Sequence, residues 1–247
     1  MLNIIKFGGS IVNPDGKYDN KVISQFIQLV KKSKDKFIFV VGGGHLCRLV
    51  QDSSHPFLNS AWNNDETAVR RANDWLGISV TKINSEYVLQ QFQKKLGKVV
   101  CPEQILDPTR KETAGNYRVF FTGGWKPGCS TDMDMMLLAK TFRAEKVFKI
   151  SDFEIVKKIK PLELAKLSGE EKMRALKAAP EIQKMSWKEM VDLVGKKWIP
   201  GLNTPFDPEA AALGYQMRKR LTMYIGRKEE FPKMLVGKKF RGTVVRG

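Results

Sequence analysis

The segment Phe120–Asp132 has the residue types and spacing best suited to chemistry on an anion. An apolar, β-branched and aromatic run at 117–122 predicts a strand before it, and good helix formers at 133–140 predict a helix after it. The glycines and proline between them predict a tight loop. Ser130, Thr131 and Asp132 then fall at the helix start, where they cap free N–H groups and the helix dipole attracts negative charge.

The same residues also fit a purely structural interpretation, a capped helix that follows a glycine-rich turn. The segment is not a P-loop, because Cys129 stands where the G-x-x-x-x-G spacing of Gly123 and Gly128 requires a lysine. An anion site is favoured because two further glycine segments precede this one, and each follows a predicted strand.

The first of these segments, Gly8-Gly9-Ser10, follows a predicted strand at 2–7 and comes directly after Lys6 and Phe7. Glycines let backbone N–H groups approach a ligand closely, and Lys6 adds a positive charge beside them. A strand-end turn with a solvated lysine is the alternative.

The second segment, Gly42-Gly43-Gly44, follows the apolar strand Phe37–Val41 and precedes a predicted helix. Arg48 lies one turn into that helix and could bind a phosphate through two hydrogen bonds, or it could be a surface arginine. His45 is either a helix cap or a phosphate contact.

Strands and helices alternate along the rest of the chain, which predicts a three-layer α/β/α sandwich with a mainly parallel central sheet. We expect an amphipathic helix at 22–33, a loop at 53–64 broken by Pro56, and a strand or the start of a helix at 78–84. Ser186 and Glu189 form a capping-box pattern. Ligands of parallel sheets bind at the carboxyl ends of strands, so three glycine segments at one edge predict a phosphoryl-transfer site.

Composition narrows the class of protein. The chain has 247 residues, and Lys and Arg exceed Asp and Glu by 17, which favours anionic partners such as nucleotides. The excess is dispersed, so we do not expect a nucleic-acid interface. Three cysteines without C-x-x-C spacing argue against a disulfide framework or a zinc site, and we expect neither a signal peptide nor a transmembrane helix.

The order of the glycine segments along the chain also resembles that of a known protein family. In order they read Lys6-Phe7-Gly8-Gly9-Ser10, then Val40-Val41-Gly42-Gly43-Gly44-His45-x-x-Arg48, then Gly123-Gly124-x-x-Pro127-Gly128-x-Ser130-Thr131-Asp132. With Asp74–Ile78, Asn84, 205–211 and 242–245, this order resembles the amino acid kinase family, and within it the archaeal-type uridylate kinases. The resemblance covers nearly the whole chain and implies a single amino acid kinase-like domain at 1–247, with an acceptor lobe at 1–140 and a nucleotide-donor lobe at 141–247.

The resemblance implies a role for each matching residue. Lys6 would neutralise the transferring γ-phosphate, Asp132 would orient the reacting groups or Mg²⁺, and Arg48 would hold the acceptor phosphate. Asp74 would bind the acceptor ribose. The remaining acceptor contacts would come from Gly43, Gly44, His45, Gly124, Ser130 and Thr131, and the ATP contacts from Gly8, Gly9, Ser10, Ser151, Asp152 and Lys157.

Two departures from the family pattern bear on function. His45 stands where archaeal-type uridylate kinases usually carry a lysine. The stretch Ser151–Lys157 replaces a Thr-Asn-x-Asp-Gly-x-Tyr stretch that builds the adenine pocket, so Glu154, Ile155 and Lys157 stand for Asp, Gly and Tyr. The acceptor half therefore keeps the family pattern better than the donor half.

The function that the resemblance implies is transfer of the ATP γ-phosphate to UMP, with Mg²⁺, in a cytoplasmic homohexamer active in pyrimidine biosynthesis. Exposed apolar residues such as Phe57, Trp62 and Trp75 could form subunit contacts or could belong to the core. The alternatives are another phosphotransferase of this family, a nucleotide-binding protein of this fold without transfer activity, and a nucleic-acid-binding protein.

Overall fold

The computed structural model describes residues 1–111, 115–195, 197 and 204–247. These residues form two compact units, Met1–Ala144 and Glu145–Gly247. The expected assignment of an acceptor lobe at 1–140 and a nucleotide-donor lobe at 141–247 stays a prediction.

The first unit contains three strands and five helices among its described residues. In chain order they are β1 (Leu2–Phe7), α1 (Gly9–Val12), α2 (Asn20–Lys32), β2 (Lys36–Val41), α3 (Gly44–Ala61), α4 (Glu66–Leu96), β3 (Val119–Thr122) and α5 (Thr131–Thr141). The strands are parallel in the order β3-β2-β1, so their carboxyl ends lie at one edge. The three glycine segments follow these three ends.

The core of the first unit is rich in stacked phenylalanine rings. The ring of Phe39 on β2 stacks on Phe121 at a centroid distance of 5.1 Å, and Phe92 of α4 lies at the same distance from Phe39. The predicted amphipathic helix is confirmed as α2, which buries Val22, Ile23, Phe26, Ile27 and Val30. Burial of large apolar side chains on both faces of β2 fixes the strand ends that carry the glycines.

The expected loop at 53–64 is wrong, because α3 continues through Pro56 to Ala61. Pro56 has no N–H group, so the helix continues there without one of its backbone hydrogen bonds, and Pro56 itself is exposed. Of the eighteen residues of α3, all of them described, only Leu58 is buried, and packing against α4 holds the helix. The expected strand or helix start at 78–84 lies inside α4, where the buried residues recur at helical spacing.

The second unit contains the remaining elements. They are β4 (Lys146–Ile150), β5 (Val156–Lys157), α6 (Pro161–Leu164), α7 (Gly169–Ala178), β6 (Glu181–Ile182), β7 (Lys184–Met185), α8 (Trp187–Val194), α9 (Pro208–Gln216), β8 (Thr222–Gly226), α10 (Phe231–Leu235) and β9 (Gly242–Val245). Its strands run in the order β4-β8-β9-β7, with β4-β8 and β7-β9 parallel and β8-β9 antiparallel. Strands β5 and β6 form a separate antiparallel pair.

The predicted fold class is confirmed: the strands of the first unit are parallel, the main strands of the second unit are mostly parallel, and helices accompany both sets. The predicted capping box is also confirmed, since Ser186 Oγ accepts from the Glu189 N–H and the Glu189 carboxylate accepts from the Ser186 N–H. Within the described part of the chain, no helix combines the length and apolar character needed to cross a membrane.

Candidate active site

The first two glycine segments touch each other through their backbones. A Cβ atom on Gly9 would lie 1.9 Å from the Gly44 nitrogen, and one on Gly42 would lie 2.6 Å from the Gly9 nitrogen. No side chain fits between two backbones this close. The two loops therefore form one continuous backbone surface at the carboxyl ends of β1 and β2.

The buried side chain of Asn84, on α4, fastens these two loops together. Its Nδ2 donates to the carbonyls of Gly42 and Gly43, each at 2.9 Å. Its Oδ1 accepts from Asn13 Nδ2 and from the Tyr18 hydroxyl, each at 3.0 Å. All four hydrogen bonds that an asparagine side chain can make are used, so the loops are held in one arrangement.

Gly44 shows why this position requires glycine. Its φ is +66°, and a Cβ there would lie 2.1 Å from Asn13 Oδ1. That buried oxygen has no hydrogen-bond partner in the described residues and faces the Gly44 backbone. A contact with the glycine Cα–H group, which is a weak donor, accounts for this arrangement.

The first and third segments meet through an ion pair between Lys6 and Asp132. The Lys6 Nζ lies 2.7 Å from Asp132 Oδ1, although the two residues are 126 positions apart in the chain. Lys6 is the next-to-last residue of β1, and Asp132 lies in the first turn of α5. The pair is mostly buried, with side-chain exposures of 17% for Lys6 and 8% for Asp132. It brings together two of the three side chains that the resemblance assigns to catalysis.

The predicted cap of α5 is confirmed. Ser130 Oγ accepts from the Met133 N–H at 3.1 Å, and the helix begins at Thr131. The helix N-terminus lies next to Lys6, so the end of the helix dipole and the ammonium group both stabilise the Asp132 carboxylate in its first turn.

Three polar side chains hold the third glycine loop, which we define as Gly123–Ser130. Thr81 Oγ1 accepts from the Gly124 N–H at 2.6 Å, and Asp74 Oδ2 accepts from the Gly128 N–H at 2.9 Å. Asp134 accepts from the Trp125 N–H at 3.3 Å through Oδ2 and from the Cys129 thiol at 3.2 Å through Oδ1. Because Asp74, Thr81 and Asn84 all belong to α4, that helix positions the second and third loops together.

Asp134 is a site residue that the sequence reasoning missed. Burial raises the pKa of Asp134 to about 7, although the hydrogen bonds from Cys129 and Trp125 and the charge of Lys6 lower it. The nearby carboxylate of Asp132 raises it further. The D-x-D spacing at a helix start was the available signal, since Asp134 lies one turn after the cap residue Ser130.

His45 and Arg48 are exposed in the first turns of α3. Among the described residues, no side chain caps the N-terminus of α3, so the interpretation of His45 as a helix cap is wrong. The N–H groups at this helix start are then available to an anion, with Arg48 one turn away.

Three of the six predicted ATP contacts, Ser151, Asp152 and Lys157, lie in the second unit. Ser151 follows β4 and donates its N–H to the carbonyl of Gly226 at 3.0 Å, while its hydroxyl donates to Asp152 Oδ1 at 3.2 Å. Lys157 lies on β5, and its Nζ is 3.2 Å from Glu181 Oε1. Lys157 is therefore engaged with a carboxylate on the neighbouring strand.

The stretch 151–157 is fastened by exposed ion pairs. Arg241 contacts Glu154 at 2.7 Å and Glu181 at 2.9 Å. Arg227 contacts Glu154 at 3.4 Å and donates to the carbonyl of Asp152 at 3.1 Å. The hydrogen bond from Arg241 holds the pKa of Glu154 below its usual value. Sequence reasoning also missed this network, because Arg227 and Arg241 lie far along the chain from Glu154.

The geometry can be compared with known proteins. A model of the amino acid kinase family matches residues 1–167, which include all three glycine loops and the Lys6–Asp132 pair. The chain belongs to the amino acid kinase family.

Curated relatives of this amino acid kinase family member match over its whole length. It is 27% identical to a uridylate kinase of Pyrococcus abyssi over 251 aligned positions, which cover 99% of both chains. It is 23% identical to a uridylate kinase of Archaeoglobus fulgidus, with 99% of this chain and 100% of the relative covered.

Solved structures show the same fold. The crystal structure of the Archaeoglobus fulgidus uridylate kinase matches with a TM-score of 0.76 at 22% identity, covering 99% of this chain and 100% of that one. The crystal structure of the UMP kinase of Bacillus anthracis matches with a TM-score of 0.69 at 17% identity. The match covers 99% of this chain and 95% of that one.

Proposed function

We propose that this protein is a nucleoside-monophosphate kinase that transfers the γ-phosphate of ATP to UMP and forms UDP. The observation that carries the proposal is the Lys6–Asp132 pair, held where the first glycine loop meets the start of α5. Full-length similarity to two archaeal uridylate kinases supports UMP as the acceptor.

The chemistry that this site can perform fits phosphoryl transfer. Such reactions are catalysed mainly by positioning and by neutralising charge on the transferring group. Lys6 supplies a positive charge, and the backbone N–H groups of Gly8, Gly9 and Ser10 would bind the ATP phosphates. The acceptor is a phosphate that is already a nucleophile near neutral pH, so the site needs no strong general base.

The acceptor would lie against the second and third loops. Gly43, Gly44 and the start of α3, with His45 and Arg48, would hold its phosphate, while Gly124, Ser130 and Thr131 would line the other side. Asp74 would reach the ribose. In the structure, Asp74 already fixes the third loop through Gly128, so this carboxylate would both shape the loop and contact the sugar.

Mg²⁺ fits this site as a partner of the nucleotide. The described residues contain no group of three or more His, Cys, Asp or Glu side chains that could hold a metal by themselves. Mg²⁺ commonly binds through one or two carboxylates together with substrate phosphates, and the Asp132 carboxylate supplies a suitable oxygen. The ion would neutralise phosphate charge beside Lys6.

ATP would bind through Ser151, Asp152 and Lys157 in the second unit. A second candidate function is a nucleotide-binding protein without transfer activity. The ion-pair network around Glu154 favours it, because Lys157 is paired with Glu181 there and not held ready for ATP. A different phosphotransferase of the family, acting on another acceptor, is the remaining alternative.

The exposed side chains of Phe57, Trp62 and Trp75 support a homo-oligomer, for which the family resemblance suggests a hexamer. We expect a cytoplasmic enzyme of pyrimidine nucleotide biosynthesis, without a membrane or nucleic-acid partner.

The test is an assay of nucleoside-diphosphate formation with Mg-ATP against UMP, CMP, AMP, GMP and dTMP, repeated with Mg-GTP. We expect UMP-selective turnover that is lost in Asp132→Asn. Turnover with a different acceptor would support another kinase of the family. A UMP-dependent rise in melting temperature without turnover with either donor would support the binding protein.

A further inference from the structure

The side chain of Asn84 determines which way the second glycine loop faces. Its Nδ2 group donates to the carbonyls of Gly42 and Gly43, each at 2.9 Å. No described peptide bond is cis, and in a trans peptide the N–H group points opposite to the C=O group. Because Asn84 binds both carbonyls, the N–H groups of Gly43 and Gly44 in the same two peptide units point away from it.

These two N–H groups belong to the start of α3. Gly43 is its cap residue and Gly44 its first residue, and within the described chain no side chain caps this helix end. Uncapped N–H groups at a helix start suit an anion. In the proposed reaction that anion would be the acceptor phosphate, so the direction of these donors would decide how well the phosphate is held.

The Asn84 amide can hold the two carbonyls in only one of its orientations. Turned by half a rotation, it would place Oδ1 against two carbonyl oxygens. The side chain is fully buried, so water cannot relieve such a contact. The correct orientation is selected at the other end of the amide, where Oδ1 accepts from Asn13 Nδ2 and from the Tyr18 hydroxyl, each at 3.0 Å.

Tyr18 reaches Asn84 from the segment between α1 and α2, and its ring is fixed on α4. The ring stacks on Tyr87 at a centroid distance of 3.7 Å, with the two planes 10° apart. The Tyr87 hydroxyl donates to Asn20 Oδ1 at 2.9 Å. Burial, followed by the neighbouring Tyr87, raises the pKa of the Tyr18 hydroxyl above its ordinary value, so the group remains a donor at neutral pH.

The same segment also contacts the start of α3 directly. A Cβ atom on Gly16 would lie 3.5 Å from His45 Cδ2, and a Cβ atom on Gly44 would meet Asn13 Oδ1. Residues 13–19 therefore lie against the second glycine loop, and Tyr18 connects them to the amide that holds it.

We propose that Asn84 is a positioning residue for the acceptor phosphate and that Tyr18 acts through it. Asn84 fixes the direction of the Gly43 and Gly44 N–H groups, and the Tyr18 hydroxyl fixes the orientation of the Asn84 amide. The identity of the acceptor rests on the function proposed above, whereas the effect of Tyr18 on the second loop does not.

Tyr18→Phe is the first test, because it removes one hydroxyl group and keeps the ring stack. Tyr87→Phe is the matched control, since the hydroxyl it removes contacts Asn20 and not Asn84. We expect the KM for UMP to rise about 3- to 10-fold in Tyr18→Phe, as for loss of one neutral hydrogen bond, while kcat and the KM for ATP stay within about 2-fold. An unchanged KM for UMP, or an equal rise in Tyr87→Phe, would overturn the proposal.

Substitutions of Asn84 test its role as a donor. Asn84→Ala removes the amide, and Asn84→Asp keeps its size but can donate to at most one of the two carbonyls. We expect the KM for UMP to rise about 10-fold or more in both variants. A wild-type KM in Asn84→Asp would mean that Asn84 only fills space, which contradicts a positioning role.

A double-mutant cycle tests whether Tyr18 acts through Asn84. In the Asn84→Ala background, Tyr18→Phe should raise the KM for UMP no further, because the amide on which it acts is gone. Effects of the two substitutions that add up in full would show that Tyr18 acts independently of Asn84.

Hydrogen–deuterium exchange separates this proposal from the proposed function. Exchange of the backbone amides at 42–48 is followed by mass spectrometry in the protein without nucleotide. We expect it to be about 3-fold faster or more in Tyr18→Phe than in Tyr87→Phe. Equal exchange in the two variants would overturn the effect of Tyr18 on the loop. Faster exchange in Tyr18→Phe beside a wild type without UMP turnover would instead contradict the proposed function and leave that effect standing.

Discussion

The glycine loops of the first unit and the stretch 151–157 of the second unit are held by different kinds of interaction. The first two loops are fixed by backbone contact at Gly9 and by the hydrogen bonds of the buried Asn84 side chain. The stretch 151–157 is fixed by exposed ion pairs among Glu154, Glu181 and Arg241. Buried contacts tolerate little change, whereas exposed ion pairs are weak and rearrange readily.

This difference suggests how the two halves of the proposed reaction are distributed. In the proposed reaction, the acceptor and phosphate positions need fixed geometry and would lie in the glycine loops. The donor nucleoside would contribute binding rather than chemistry, so its contacts could be built from adaptable surface charges.

The largest effect is expected for Lys6→Ala. Removing the ammonium group deletes the positive charge that would lie beside the transferring phosphate in the proposed reaction, and it leaves Asp132 without its 2.7 Å partner. We expect kcat to fall by ~10²–10³-fold, the range for loss of one group that stabilises transition-state charge. Steady-state UDP formation measures this. Lys6→Arg, which keeps the charge in a different shape, should recover part of the loss; equal activity of Lys6→Ala and wild type would remove Lys6 from the catalytic group.

Gly9→Ala tests the rigidity of the backbone contact directly. The new Cβ would meet the Gly44 nitrogen, which cannot move without displacing the second loop. We expect the free energy of unfolding to fall by about 3 kcal/mol or more, because backbone atoms cannot yield as side chains do. Urea denaturation measures it, with Ser10→Ala as the matched control. A Gly9→Ala protein as stable as the control would contradict close packing of the two loops.

The pH dependence of stability tests the buried carboxyl group of Asp134. Its pKa is about 7 in the folded protein against 3.8 ordinarily, so the folded state binds more protons than the unfolded state between these values. Stability therefore decreases as pH rises from about 4 to about 7, by at most about 4 kcal/mol from this group.

The measurement is the difference in unfolding free energy between wild type and Asp134→Asn at pH 5 and pH 7.5. Asparagine cannot ionise, so the variant should gain relative to the wild type as pH rises. A difference that does not change with pH would mean that Asp134 has an ordinary pKa.

The smallest effect on stability is expected for Arg241→Gln in the exposed network. Its contacts to Glu154 and Glu181 are accessible to water, so the urea midpoint should fall slightly, and the difference from wild type should disappear at about 1 M salt. The KM for ATP should change more than the KM for UMP. A large, salt-independent loss of stability would show that this stretch is as rigid as the glycine loops.

The sequence predicted the elements around the site because local signals agree with the fold there. Strong strand patterns, glycines at strand ends and the Ser130 cap each depend on neighbours in the chain. Thr81 could not be identified in this way, since its role comes from contact with a loop 43 residues away in the chain. Asp134 was missed although its D-x-D spacing with Asp132 was a local signal. The ion pairs of Arg241 could not be predicted from the sequence either, because charged residues that pair from distant parts of the chain leave no local pattern.

The error at 53–64 has a similar cause. Pro56 and the polar residues around it are local signals against a helix, and they would prevail in an isolated peptide. Packing of α3 against α4 overrides them in the folded protein. The family resemblance supplied what local patterns lack, because it matched residues that are distant in sequence.

Helix α4 also constrains how this protein can change in length. Asp74, Thr81 and Asn84 lie within eleven residues of one helix, a span of about 15 Å, and each holds a loop backbone. Inserting a single residue between Asp74 and Asn84 would rotate one contact by about 100° and move it by about 1.5 Å relative to the other. No side-chain substitution could restore both contacts. We therefore expect the exposed turn between α3 and α4 to tolerate insertions. An insertion between Asp74 and Asn84 is expected to prevent the site from forming.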